Sequence, residues 1–581
     1  MIQLSFNLGS LTEAHACLEN DELQTRASCS RSVLVQFFAS SLDPKVAVPL
    51  AERIHSLFPQ AVVTGITTSG EIYEGEVVLG RTIAVFSFFE TTELIPVAFP
   101  CRAGEEEETG RRLAAEILED REVGGVKGIL LYATTQRMDG AGLLVGMREA
   151  LDGIPVFGAG AGSYVNNGEA WIFACGRVYE NGVAAVAFRG PDLEIEIHPY
   201  LGWEPLSRGM TVTGIEEPTL ITTLDGIPAA EVYEKYLSIP NDESFFENML
   251  EFPLMLQRGG SMLARVPISR GENGSLRLAA DVRVGEQIRL GYGNPKHIVI
   301  DAYDIQEKIG AFQPQGILLY SCYCRQIYLQ DAVNLETRAF QKFAPASGIY
   351  TYGEFHGQGE GLQLHNATMI AVGMREGGKK EAALPRIEER IGQRDTKQME
   401  MTSRLARFVG AVVEEWESVN RELQEMMQTD SLTGLYNRRK MDELLNDAIK
   451  ENGGKLAIIL LDIDRFKRIN DECGHLCGDA VLQRAAKILR LHEGENGTAG
   501  RWGGEEFLLL LRHTGLEEAE ALAERIRADM ERTDFGKAGR VTGSFGVTAA
   551  EPGEGTRQIF KRADEALYAA KHGGRNRVVA Q

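Results

Sequence analysis

A run of six apolar residues, Leu456–Leu461, stops on Asp462-Ile463-Asp464. Further along, Arg501-Trp502-Gly503-Gly504-Glu505-Glu506-Phe507 sets a glycine pair directly against two adjacent carboxylates. The apolar run predicts a buried strand, and the glycines predict a tight turn whose backbone a ligand can approach with no Cβ in the way. Brought side by side, a strand-end Asp and a turn Glu make an all-oxygen site for Mg²⁺, the hard cation that accompanies nucleotide phosphates. The pattern predicts phosphoryl chemistry on a nucleoside triphosphate.

At 581 residues the chain is too long for one core, and a prior of roughly one domain per 150 residues predicts three or four units. The formal net charge of −22 argues against a general nucleic-acid binder, which needs a basic face to displace counterions. Eight cysteines, with no CxxC pair among them, read as reduced thiols. Met1–Asn20 has no basic segment followed by an apolar one, and no apolar run approaches the roughly 18 residues of a membrane span. The expectation is a soluble, cytoplasmic protein with neither a membrane nor a nucleic-acid partner.

Residues 30–220 alternate β-rich runs with helical patterns. Val33–Phe38, Ala61–Ile66, Thr82–Phe88 and Gly128–Tyr132 are predicted strands, and Ala47–Leu57 and Glu106–Leu118 predicted helices. Glycine clusters at Thr68-Ser69-Gly70 and Gly158–Gly162 predict turns open to a ligand's polar group. Residues 221–376 form a second mixed stretch, with strands expected at His297–Ala302 and Gly316–Tyr320 and helices at Ala229–Leu237 and Val333–Lys342. No short-period repeat is visible.

Residues 377–429 are a charged linker followed by an apolar seam: Met401, Leu405, Phe408, Val412, Trp416, Val419, Leu423 and Met426, at spacings 4, 3, 4, 4, 3, 4, 3. That is a heptad pattern with one stutter between Val412 and Trp416. It predicts either a helix lying on a neighbouring domain or a parallel two-stranded coiled coil joining two protomers.

Residues 430–581 carry several motifs in series. Asp430-Ser431-Leu432-Thr433-Gly434-Leu435-Tyr436-Asn437-Arg438-Arg439 leads, followed by Asp462-Ile463-Asp464, Arg465-Phe466-Lys467-Arg468-Ile469-Asn470-Asp471 and Gly474-His475-Leu476-Cys477-Gly478-Asp479. The glycine–glutamate turn, a strand over Arg540–Thr548 and a final helix through Ala563–Lys571 with Gly574-Arg575-Asn576 complete the set. Together they resemble a GGDEF-family diguanylate cyclase domain in its Gly-Gly-Glu-Glu-Phe form. The resemblance implies a nucleotide-cyclase-like sheet flanked by helices, and condensation of two GTP into cyclic di-GMP and pyrophosphate by a homodimer.

The resemblance places Mg²⁺ (or Mn²⁺) on Asp462, the carbonyl of Ile463 and Glu505. It sets Glu505 and Glu506 near the 3′-hydroxyl, Glu505 as the preferred base with Glu506 in support. Asn470 and Asp479 match guanine-reading positions, where a buried polar group left unpaired by the wrong base discriminates strongly. Arg465, Phe466 and Lys467 form a phosphate cradle at a helix start, and Lys571 and Arg575 match triphosphate contacts. Arg501 lies near enough to offset charge, and His475 either touches nucleotide or satisfies its own turn. Asp464 orients its neighbours or faces solvent, and Cys473 and Cys477 read as ordinary thiols. Many relatives carry an inhibitory Arg-x-x-Asp whose Arg stands nine residues before the first glycine. Here that stretch reads Gly494-Glu495-Asn496-Gly497, so product inhibition of that type is expected to be weak or absent.

Gly65-Ile66-Thr67-Thr68-Ser69-Gly70-Glu71-Ile72 resembles a FIST N-terminal signature. Leu224–Tyr233 and Gly348-Ile349-Tyr350-Thr351-Tyr352-Gly353-Glu354-Phe355 resemble its FIST C-terminal partner. The resemblance implies a small-ligand sensor, with amino acids or haem as ligands in that family. Candidate contacts are Thr68, Ser69, Glu71, Cys322, Cys324, Glu354 and His356, the last as a conceivable haem ligand. The expected architecture is therefore α/β and α+β multidomain: a two-part α/β sensory region (30–220 and 221–376), a helical linker (377–429) and a cyclase domain (430–581). The expected function is a diguanylate cyclase regulated by a small molecule; the alternative is a catalytically inactive nucleotide-binding scaffold. A phosphodiesterase finds no support, because no Glu-x-Leu hydrolase segment follows.

Overall fold

The computed structural model describes residues 1–39, 44–119, 125–151, 153–163, 170–239, 249–271, 273–379, 395–450, 455–494, 496–551 and 553–581. The chain divides into two compact units, Met1–Glu414 and Glu415–Gln581.

The first unit is built from one pattern used three times. The first copy runs β1 (Ile2–Leu8), β2 (Ser32–Ala39), β3 (Ala61–Thr67), a hairpin β4 (Gly70–Tyr73) and β5 (Glu76–Val78), then β6 (Thr82–Phe89). The second runs β7 (Glu93–Pro100), β8 (Val126–Ala133), β9 (Val156–Gly160), hairpin β10 (Ile172–Ala174) and β11 (Arg177–Tyr179), then β12 (Gly182–Arg189). The third starts at β13 (Leu193–Tyr200) and is interrupted by strands β14 to β22 (Trp203–Pro205 through Gln287–Gly293). It resumes as β23 (Gly316–Cys322), β24 (Ala346–Thr351), hairpin β25 (Glu354–Gly357) and β26 (Gln363–His365), then β27 (Met369–Glu376).

Each copy makes a sheet whose central pair is parallel, and each hands its hairpin to another copy. β4–β5 joins β24, β10–β11 joins β3, and β25–β26 joins β9, so the exchange closes in a ring of three sheets. The register repeats too. Phe37 pairs with Gly65, Leu131 with Gly158 and Leu319 with Gly348, while Ala84, Ala185 and Ala371 stand opposite on the other flank. Glycine is required at two of these positions: a Cβ would lie 1.9 Å from the Leu131 carbonyl at Gly158 and 2.0 Å from the Leu319 carbonyl at Gly348. One apolar core holds side chains from all three sheets, among them the equivalent Phe38, Tyr132 and Tyr320. There the Gln36 amide donates to the Tyr132 hydroxyl at 2.7 Å. The helices pack outside, over three further cores. The inserted strands form an antiparallel sheet with a core of its own.

This ring departs from the sequence reading in several ways. The division at 220/221 falls inside β16 (Leu220–Leu224), and hairpin exchange makes the two sensory stretches one body. The repeat is long rather than short in period, which is why no short-period search finds it. His297–Ala302 is not a strand but part of the helix Pro295–Phe312: Ile298, Ala302, Ile305, Ile309 and Phe312 are buried at helical spacing, a period that six residues cannot display. Val333–Lys342 is helical only to Thr337 and tightens to 3₁₀ over Arg338–Lys342.

Helix Asp395–Gln428 spans the seam. Leu405, Phe408, Val412, Trp416 and Val419 are 47–66% exposed along this helix. The side chains of Met401, Leu423 and Met426, and the linker residues 380–394, lie outside the described residues. Among the described residues no helix is long and apolar enough to cross a membrane.

The second unit is a six-stranded sheet in the order β28 (Tyr436–Asn437), β30 (Gly497–Gly503), β31 (Glu506–Arg512), β29 (Leu456–Ile463), β32 (Gly543–Ala549), β33 (Val578–Ala580). β29 is central and wholly buried, as its apolar run requires. β32 begins at Gly543, three residues later than expected from sequence.

Candidate active site

β29 and β31 are antiparallel with Asp462 directly opposite Glu506, and the Ile463 N–H donates to the Glu505 carbonyl at 3.3 Å. The strand end and the glycine turn therefore meet, with Asp462 and Glu506 projecting on one face of the sheet. Gly504, at φ +43°, makes the turn between β30 and β31. Arg501 holds that turn from behind: its guanidinium donates to the Gly504 carbonyl at 2.8 and 3.0 Å and to Asp430 at 3.1 and 3.2 Å. Asp430 also accepts from the Thr433 amide and hydroxyl at 2.9 and 2.7 Å. Burial opposes its charge, but Thr433 and Arg501 outweigh that and hold the Asp430 carboxyl below its usual range. Arg501, expected to offset ligand charge, is thus committed to a carboxylate and a carbonyl.

Asp462 is 8% exposed and accepts from the Lys571 ammonium at 2.6 Å. Burial pushes its carboxyl up to about 6; Lys571 works against that, and the neighbouring Glu505 and Glu506 add to it. Lys571, expected at the triphosphate, rests on this carboxylate from the last helix, Thr556–His572. Asp464 is structural: buried, it accepts from Thr542 at 2.7 Å, Ser544 at 2.6 Å and the Asn576 amide at 3.0 Å, which ties the site to the segment after the last helix. Asn576 and the Asp430–Thr433 turn, quoted in the motif series without a role, both contribute to the site.

Arg465, in the left-handed region at φ +58°, starts helix Phe466–Cys473. Phe466 turns its ring into the core, leaving its amide at the helix start, while Arg465 and Lys467 are exposed. Asn470 on this helix meets Gly478 on the next, His475–His492: a Cβ at Gly478 would fall 1.9 Å from the Asn470 side-chain oxygen. Asp479 follows, half-buried, and His475 and Arg575 are exposed.

Among the described residues no three His, Cys, Asp or Glu side chains gather as a metal cage. The site offers less: Asp462, the Ile463 carbonyl and Glu505. Mutually repelling carboxylates beside a buried Asp whose charge is disfavoured are a donor set that a divalent cation relieves. Two protein carboxylates leave room for phosphate oxygens and water in a Mg²⁺ shell.

The sensory candidates are also placed. Thr68, Ser69, Glu71, Cys322, Cys324 and Glu354 are all buried. Thr68 donates to Glu71, and the Cys322 and Cys324 sulfurs lie 3.2 Å apart. His356 is half-buried beside the buried His365, 5.8 Å away ring to ring, and the loss of solvent pushes the His356 imidazole down to about 4.

Residues 427–577 match the family described as diguanylate cyclase, GGDEF domain. The chain carries a GGDEF domain. Ahead of it, residues 33–227 match the FIST N domain and 229–356 the FIST C domain. Diguanylate cyclase DgcP of Pseudomonas aeruginosa is 37% identical over 225 residues, covering 37% of this chain and 33% of that protein. Diguanylate cyclase VdcA of Vibrio cholerae is 42% identical over 156 residues, covering 26% and 46%. The response regulator PleD of Caulobacter vibrioides is 42% identical over 166 residues, covering 27% and 37%. Among solved structures, the coiled coil and GGDEF domain of DgcB from Caulobacter crescentus in complex with c-di-GMP is 33% identical. It covers 31% of this chain and 99% of that chain, at TM-score 0.30. The chain spans less than half the length of these curated relatives.

Proposed function

We propose that the protein is a diguanylate cyclase whose FIST region senses a small molecule. The observation that carries the first half is the register setting Asp462 opposite Glu506, with Lys571 on Asp462. Asp462, the Ile463 carbonyl and Glu505 would hold Mg²⁺ or Mn²⁺, which supplies Lewis-acid neutralisation of phosphate charge when bound. Asn470 and Asp479 read guanine, and the amides at Arg465–Lys467 with Lys571 and Arg575 receive the triphosphate. Glu505, supported by Glu506, takes the proton from the 3′-hydroxyl. That oxygen attacks the α-phosphorus of a GTP held by a second protomer, and pyrophosphate leaves. Placement of two half-sites supplies much of the rate, so the exposed seam of Asp395–Gln428 is read as the homodimer contact, and its geometry as what the sensor controls.

Incubating the full chain with GTP and Mg²⁺ and analysing products by chromatography tests this. Cyclic dinucleotide is expected, and its loss in Glu505→Gln. GTP binding without product would leave a nucleotide-binding scaffold instead. Gly494 and Gly497 offer no guanidinium or carboxylate to grip product, so added cyclic di-GMP is expected to inhibit only weakly, and tight noncompetitive inhibition would refute that.

A further inference from the structure

The three copies in the first unit each place a strand-to-helix junction at the end of a parallel pair, the location where open α/β sheets receive ligands. At the third junction, after β23, Arg325 fills the space. It is fully buried and ion-paired with Glu336, donates to the Leu201 and Ala367 carbonyls at 2.6 and 2.8 Å, and stacks over Tyr200 and Trp203. The first junction includes residues outside the described set. The second, between β8 and helix Gly140–Arg148, opens into a cavity of about 1020 Å³, with the inserted sheet as its far wall. Thr135, Met138, Tyr352, Leu364, Leu278 and Ala280 give it a largely apolar lining.

Its charges are unevenly satisfied. The two cations, Arg137 and Arg277, each have a carboxylate, Glu180 at 3.5 Å and Glu217 at 2.8 Å. Glu106 and Asp139 also line the cavity, and neither makes an ion pair among the described residues. Glu106 is 8% exposed; one of its oxygens accepts from the Asp139 amide at 3.2 Å, and its other oxygen has no hydrogen-bond partner among the described residues. One Asp139 oxygen caps the helix through the Ala141 amide at 2.9 Å.

We propose that this cavity binds a small organic molecule through a protonated amine held between Glu106 and Asp139. An ammonium brings three donors and one positive charge to two carboxylates that hold backbone amides but no cation, making charge-assisted hydrogen bonds in a partly desolvated place. An anionic head group would face those carboxylates unpaired, and two side chains are too few for a metal cage. The volume suits a metabolite-sized ligand. Burial, with the nearby Asp281 and Glu106 carboxylates, raises the Asp139 pKa, as expected for a site short of a cation.

The inference rests on the FIST region being a sensor, and the test separates the two. Thermal melts of the full chain with 10 mM putrescine, ethanolamine or arginine, and with succinate as an acid lacking an amine, are the binding readout. At least one amine is expected to raise Tm by about 3 °C or more, with succinate inert. Glu106→Gln should abolish the shift. Ile268→Lys, which sets an ammonium at an exposed cavity position, should abolish it too if the first variant fails to fold. No shift with any amine, a shift with succinate alone, or an amine shift unchanged in folded variants overturns the proposal. Cyclic dinucleotide synthesis followed in the same samples isolates the sensory reading. Amine binding without a change in rate keeps the site and removes the sensor. A rate response that survives both variants does the reverse.

Discussion

In the proposed cyclase, Asp462 concentrates the chemistry of the second unit. As an acid held at about 6 against an ordinary 3.8, it keeps its proton in the fold at pH values where an unfolded chain has lost it. Between roughly pH 4 and 6 the native state therefore binds more protons than the unfolded one, and this residue's contribution to stability falls as pH rises across that window. The proposed activity runs the other way, since a cation held by Asp462 would need the carboxylate. The expected kcat/KM for GTP falls about tenfold per pH unit below 6 and levels above it. Raising Mg²⁺ should move the midpoint down, and Lys571→Ala, which removes the opposing ammonium, should move it up. A flat profile from pH 5 to 8 would show that Asp462 is not the titrating group. Gly478 is the second decisive residue. Gly478→Ala pushes Asn470 aside while leaving the helix favourable, so KM for GTP should rise by about tenfold or more with little change in melting temperature, read by steady-state kinetics and a thermal melt.

At the scale of elements, the stutter-bearing helix and the glycine turn are the parts that would transmit a signal. Five seam side chains stand in water along Asp395–Gln428, and burying each fully is worth roughly 1.5–3 kcal/mol. A second helix is the economical cover. Phe408→Asp with Val412→Asp should convert a dimer to a monomer by light scattering and lower cyclase activity at least about tenfold, partly recovered at high protein concentration. A monomeric parent protein would remove the premise. The catalytic unit's own start is coupled to its turn: Asp430, just past this helix, holds Arg501, which holds Gly504. Charge-assisted hydrogen bonds of this kind contribute roughly 1.5–3 kcal/mol each, enough to favour one turn geometry over another.

At the scale of the molecule, cyclic exchange of hairpins makes the first unit indivisible. A fragment ending at residue 220 would leave β4–β5 without β24 and β9 without β25, exposing unpaired edges that invite aggregation. Residues 1–220 should be insoluble or molten by circular dichroism and gel filtration, while residues 1–379 should melt in one cooperative transition. A sharply melting monomeric 1–220 would contradict the ring.

The sequence by itself determined the catalytic end. Leu456–Leu461 reads as a strand buried on both faces because the apolar run is short and is bounded by Gly453-Gly454 before it and Asp462 after it. The chain turns at Gly504 because glycine tolerates the left-handed backbone. Both are local effects written within a few residues. Helix His297–Ala302 was misread because six residues cannot separate a period of 3.6 from one of 2. Tertiary structure alone decided the rest: that Arg501 would be spent on Asp430, that Lys571 would lie on Asp462, and that Asp464 would be a hub. It also decided the threefold ring, since a hairpin's partner strand lies in another copy hundreds of residues away. Pairing at that distance depends on which sheet edge is free, a property no window of sequence contains.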